Sequence, residues 1–225
     1  ITSARGAVTI QDADTSINAP LLEIKNSGGS QTIFKVTPDR VEATEMVRLS
    51  GDGICWDDFT ATLRTEGTTP AGWERIAGLT GAGLKGPCVW KFDATKVEDV
   101  QANFELPHSW KQGTNIIPHV HWTTENGNAG NIVWGIEYNW TNKDGTISPT
   151  VNQEITVANS TAYKHTSSAF PAIDATGKTF GSILMITVYR NGASAADTYA
   201  SDAGLIKFDI HFQIDSLGSE TLTTK

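Results

Sequence analysis

Apolar and polar residues alternate along most of this chain, and a period of two residues is the signature of a β-strand. The clearest segment is Leu205–Ile214. Ile206, Phe208, Ile210, Phe212 and Ile214 fall on one side of it, and Lys207, Asp209, His211 and Gln213 on the other. That pattern predicts a strand with one buried and one wet face. Residues 131–140 repeat it, with Ile132, Trp134, Ile136, Tyr138 and Trp140 opposed to Val133, Gly135, Glu137 and Asn139. Residues 182–190 (SILMITVYR) are apolar on both sides and predict a strand covered on both. Shorter runs over 100–106, 115–122, 154–157 and 164–168 complete the set, separated by clusters of Gly, Asn, Asp, Ser and Thr that make turns. No long stretch places apolar residues at i, i+3, i+4 and i+7, so no long helix is expected. Strands in series without helices between them predict an all-β fold, an antiparallel β-sandwich of jelly-roll type. Parallel α/β folds are excluded because each parallel pair needs a crossover. If strands 115–122 and 131–140 form a hairpin about the turn at 123–130, His119 lies opposite Gly135.

The chain divides by pattern into three parts. Residues 1–50 hold LLEIKNSGGSQTIFKV, two short strands about Gly28-Gly29, and then VEATEMVRL, a third. This stretch is too short and polar to build its own core and is expected as an extended N-terminal β arm that packs on partners or on the rest of the chain. Residues 51–88 are Gly-rich and are expected as a linker with loops, docking through Trp56, Trp73 and Trp90. Residues 89–225 form the predicted sandwich.

Composition narrows the function classes. At 225 residues the chain can bury about 70% of its unfolded surface, so it needs no disulfide or metal to hold a core. A net charge of -8 argues against nonspecific nucleic-acid binding, which needs clustered Lys and Arg. No apolar run approaches the length of a membrane span. The chain starts at Ile1, which predicts a processed or trimmed start, and residues 1–20 lack the basic start and apolar core of a secretory signal. Cys55 and Cys88 match no zinc spacing and are expected as free thiols, with a single disulfide as the alternative.

Candidate chemistry centres on histidine and tryptophan. His119 and His121 stand at i and i+2 on one strand face, and His108 follows a proline as His119 does. An H-x-H pair with a third histidine can hold zinc or another transition metal, within one chain or on the threefold axis of a trimer. The alternatives are hydrogen bonding at a strand rim or interface and a pH-responsive contact. His165 and His211 complete no recognised cupin ligand set. Of the seven tryptophans, Trp134 and Trp140 fall on an apolar face and read as core. Trp110, in the loop HSWKQGT, is the best candidate for an exposed platform that stacks on a sugar. Catalytic signatures are missing: there is no G-x-S-x-G elbow and no P-loop, and neither cysteine lies in a protease motif. The adjacent Asp57 and Asp58 would face opposite ways on a strand, so they make no carboxylate pair for glycoside cleavage. Asp197 and Asp202, in the loop GASAADTYASDAG, do not follow the spacing of an EF-hand. No enzymatic activity and no cofactor are expected.

Several segments carry a resemblance. LLEIKNSGGSQTIFKVTPDRVEA (21–43) is similar to a strand and turn element of bacteriophage fibre and tail proteins. ELPHSWKQGTNIIPHVHW (105–122), NIVWGIEYNW (131–140) and DTYASDAGLIKFDIHFQIDSLGS (197–219) resemble a family of phage structural proteins with the order PHxW, PHxHW, WxxEYxW. The resemblance implies a virion component assembled in the host cytoplasm. Such a component is a capsid decoration, head-fibre or tail-fibre protein, working as a homotrimer with itself and other virion proteins and with no enzymatic role. The alternative is a carbohydrate-binding β-sandwich that attaches to a surface glycan. A third reading is a metal-dependent cupin-like enzyme using His119 and His121.

Overall fold

In a computed structural model of the protein, the alternating segments pair into thirteen strands among the described residues. The structure describes residues 22–25, 32–36, 41–43, 49–65, 67, 69–79, 85–159, 161–222 and 224. In chain order the strands are β1 (Leu22–Lys25), β2 (Thr32–Val36), β3 (Val41–Ala43), β4 (Cys55–Thr60), β5 (Gly72–Arg75), β6 (Cys88–Phe92), β7 (Val97–Glu105), β8 (Ile117–Thr124), β9 (Gly130–Thr141), β10 (Val151–Asn159), β11 (Thr166–Ala169), β12 (Ile183–Asn191) and β13 (Ala203–Ile214). Every strand pair is antiparallel. β1, β2 and β3 make a small sheet of their own. The four-stranded sheet runs β10-β9-β12-β7, and the six-stranded sheet runs β11-β8-β13-β6-β5 with β4 also on β13.

The two larger sheets form a sandwich. Val100, Phe104, Ile132, Trp134, Ile136, Leu184, Ile186 and Val188 from the smaller sheet meet Phe92, Val120, Trp122, Leu205, Phe208, Ile210 and Phe212 from the larger one, all buried. Aromatic edges lock the layers together: Phe92 meets Trp134 with ring centres 5.1 Å apart, and Phe104 meets Phe208 at 5.9 Å. Each such side chain contributes about 1.5–3 kcal/mol by leaving water. The expected strand faces of β9 hold, and β12 is a central strand between β9 and β7, as its two apolar faces require.

Four expectations differ from the structure. The strands 117–124 and 130–141 do not form a hairpin, because the turn between them carries the chain from one sheet to the other; His119 stands opposite Asp209 of β13, and Gly135 opposite Glu154 and Tyr189. On β13 the register slips between Leu205 and Lys207, a β-bulge that puts Leu205 in the core and leaves Ile206 42% exposed. The Gly-rich stretch 51–88 is not only a linker, since it contributes β4 and β5 to the larger sheet. Trp56 and Trp73 do not dock inward and are 54% and 56% exposed. Of the predicted third strand over 41–49, Val41–Ala43 is β3, and residues 44–48 lie outside the described residues.

The loop after β12 is fixed by a buried ion pair. The side chains of Arg190 and Asp197 are both fully buried, joined by Nε to Oδ2 at 2.9 Å and Nη2 to Oδ1 at 2.8 Å. The guanidinium also donates to the carbonyls of Phe92, Tyr199 and Ser201. Asp197 is therefore engaged with arginine and with the Val133 amide.

Candidate functional site

The outward face of the six-stranded sheet collects four of the five histidines in the chain. The register does this. β8 and β13 run side by side with His119 opposite Asp209 and His121 opposite Lys207, and β4 sets Asp58 opposite His211 on the far side of β13. Because alternate residues share a face, burying Val120, Trp122, Phe208, Ile210 and Phe212 turns all of these polar side chains to the other side. His165, just before β11, reaches the same patch.

Asp209 is the centre of the group. It is only 1% exposed and His119 only 8%. His119 Nδ1 lies 3.3 Å from Asp209 Oδ1, and His121 Nε2 lies 3.3 Å from Oδ2, without hydrogen-bond alignment in either case. Lys207 Nζ closes on Oδ2 at 2.7 Å. The rings of His119 and His211 meet edge to face, with centres 3.8 Å apart. His211 Nε2 pairs with Asp58 Oδ1 at 2.5 Å. His121 Nδ1 and His165 Nε2 are 2.7 Å apart, a hydrogen bond that needs one nitrogen to carry the proton and the other to accept it.

Charge and burial compete here. Burial pushes the Asp209 carboxyl up, but His119, Lys207 and His121 together outweigh it and hold the group below the ordinary carboxylate range, so it is ionised. For His121, burial disfavours the imidazolium. Asp209 opposes that, His165, Lys207 and His119 reinforce it, and the net shift is downward. His121 is thus neutral near pH 7, with a lone pair to offer. Three atoms of the patch, His119 Nδ1, His121 Nε2 and Asp209 Oδ1, are buried without a hydrogen-bond partner. Leaving such atoms unpaired costs about 1–3 kcal/mol each.

The candidates read from the sequence separate. His119 and His121 are together on this face. His108 does not join them: its Nδ1 contacts the Ser219 hydroxyl, its ring stacks on Phe180 at 4.3 Å, and it lines a surface cavity of about 490 Å³. Trp110 is not an exposed platform. It is buried beside Trp140, with ring centres 5.8 Å apart, because its backbone bridges to Ile214 and draws the loop onto the core. A sugar cannot reach it. Both cysteines are free thiols. From the sequence, His165, His211, Asp58 and Asp209 are set aside as ligands or catalytic acids, and Lys207 has no role beyond the wet face of its strand. The signal for Lys207, Asp209 and His211 was present in the wet side of the β13 alternation, whereas Asp58 and His165 depend on which strands pair.

A second polar face lies on the outside of the four-stranded sheet. There Tyr189 lies flat over Gly135, donating to Glu154 and accepting from Asn152. Asp99 and Glu137 stand on the same face, and burial, with the neighbouring Glu137 charge, raises the Asp99 carboxyl above its ordinary value.

No family model matches the chain, and no curated protein matches it. Among solved structures, the chain is similar to the C-terminal family 22 carbohydrate-binding module of Clostridium thermocellum Xyn10B, at 13% identity and a TM-score of 0.35, covering 71% of this chain and 88% of that one. It is also similar to the N-terminal endo-1,4-β-D-xylanase 10B of the same organism, a structure of CBM22-1 and GH10 modules with xylohexaose, at 11% identity and a TM-score of 0.33, over 76% of this chain and 27% of that one. A third is TmCBM61 in complex with β-1,4-galactotriose, at 14% identity and a TM-score of 0.27, over 72% and 88%.

Proposed function

We propose that this protein is a non-catalytic β-sandwich module that binds a carbohydrate on the outward face of its six-stranded sheet. The observation that carries the reading is Trp56. It sits on β4 directly opposite Gln213 of β13, two residues from Asp58 and so on the same face as the His211–Asp58 pair. It is 54% exposed in a chain that buries Trp110, Trp122, Trp134 and Trp140. A half-exposed indole presents a flat apolar surface to the C–H face of a sugar ring, and neighbouring carboxylate, amide and imidazole groups can bond its hydroxyls. The test is a glycan array followed by calorimetry. Trp56→Ala should abolish the binding of any glycan captured by the wild type while leaving the melting temperature nearly unchanged, since the ring is outside the core. Equal binding by the variant, or no capture by the wild type, sinks the reading.

A second reading, a structural component of a phage particle, has its own support. The PHVHW and FDIHF segments of the resemblance pair along β8 and β13 and together build the histidine patch, and WGIEYNW is a central part of β9 in the opposed sheet. The reading places the protein in the virion, assembled in the host cytoplasm with itself and other virion proteins. Light scattering after gel filtration tests it: a homotrimer of about 73 kDa is the expected closed assembly, and a monomer at all concentrations refutes solution trimerisation.

A further inference from the structure

We propose that His119, Asp209 and His211 form a transition-metal site, for which zinc is the best suited ion. The inference stands apart from glycan binding. Each of the three residues offers one ligand atom, and these atoms all lie within 4.8 Å of one another. They come from one chain and two adjacent strands, so the sheet itself sets their spacing. Asp209 and His119 are more than nine-tenths buried, and Asp209 Oδ1 and His119 Nδ1 have no hydrogen-bond partner. Folded chains rarely bury such atoms without something to satisfy them.

The surroundings orient the three groups as metal ligands are oriented. Asp58 takes the Nε2 side of His211 at 2.5 Å, which leaves Nδ1 as the free lone pair. A carboxylate behind a histidine fixes the tautomer and raises the basicity of the ligating nitrogen. Lys207 takes Oδ2 of Asp209 at 2.7 Å, so Oδ1 is the oxygen turned toward His119. His121 stands beside the group on the same face, with its Nε2 buried 3.3 Å from Asp209 Oδ2. Two carboxylates against one ammonium leave a net negative charge that a divalent cation offsets. Two imidazoles and one carboxylate make a borderline donor set, which suits zinc, cobalt and nickel better than magnesium or calcium.

The test uses the full chain, stripped with a chelator and dialysed. Zinc is titrated by calorimetry and cobalt by visible absorption. One ion per chain is expected, with the intense visible bands of a low-coordinate cobalt site. His119→Gln and His211→Gln should each weaken zinc binding by at least ~10-fold, and Asp58→Asn by roughly 10–100-fold through its hold on His211. Asp58 is exposed, so its replacement keeps the test decisive where a buried variant fails to fold. His108→Gln and Trp56→Ala should leave the titration unchanged, which separates this site from the glycan reading. A wild-type chain that takes up no zinc at submillimolar concentration, or one whose zinc affinity survives both histidine variants and Asp58→Asn, overturns the proposal.

Discussion

Replacing Asp197 by alanine removes the only carboxylate bonded to the buried guanidinium of Arg190 among the described residues. Both side chains are fully buried, so the variant leaves a charge in the interior with no partner of opposite sign. It also strips the Val133 amide of its acceptor at 3.0 Å. Three carbonyl bonds, to Phe92, Tyr199 and Ser201, remain, and the expected loss is that of a broken buried pair, about 3–5 kcal/mol. A domain of this size loses roughly 2–4 °C of melting temperature per kcal/mol, so a drop of roughly 6–20 °C is expected. Urea unfolding followed by tryptophan fluorescence gives the free energy. Asp197→Asn serves as the control: it keeps the shape and some hydrogen bonding but not the charge, and should fall between wild type and alanine. A loss under about 1 kcal/mol for Asp197→Ala, the scale of an exposed ion pair, would refute the reasoning and mean that the carbonyls alone satisfy the guanidinium.

Two further outcomes concern the smaller sheet. A Cβ at Gly135 would meet the Tyr189 ring at 2.1 Å, so Gly135→Ala must displace that ring from Glu154 and Asn152, at a cost of roughly 1–3 kcal/mol. The same change should be milder in a Tyr189→Ala background, and equal losses in both would show that the ring is not the obstacle. Burial pushes the Tyr189 hydroxyl up to about 12, with Glu154 adding to the shift. The unfolded value is about 10, so the neutral hydroxyl's contribution is complete below pH 10 and is lost as pH rises from about 10 through 12. The difference in melting temperature between wild type and Tyr189→Phe should therefore change only in that window; a constant difference from pH 9 to 12 contradicts it.

Which side chains share a face could be read from the residue pattern, because a strand has one period and water selects its polar side. That was enough for the all-β class, for the inward residues of β9 and most of β13, and for β12 as a covered strand. It was enough also to put His119 with His121, and Asp209 with His211. Which strand lies next to which is not a local property. A hairpin from β8 to β9 was the reading of least chain length, yet β8 pairs with the distant β13 in its own sheet, and β9 lies in the opposed layer, where Trp134 packs against Phe92. That choice brings His119 to Asp209 and makes a site of two fragments. The Gly-rich stretch hid β4 because its one inward side chain, Phe59, gives too short an apolar signal; its pairing with β13 brings Asp58 to His211 and Trp56 to the surface. Trp110 was misread for a related reason. A polar loop sequence says that the backbone turns, but not whether the turn folds back over the core, and here a bridge to Ile214 takes the indole inside. Faces are settled by neighbours along the chain, whereas sites depend on contacts across it, which only the packed layers determine.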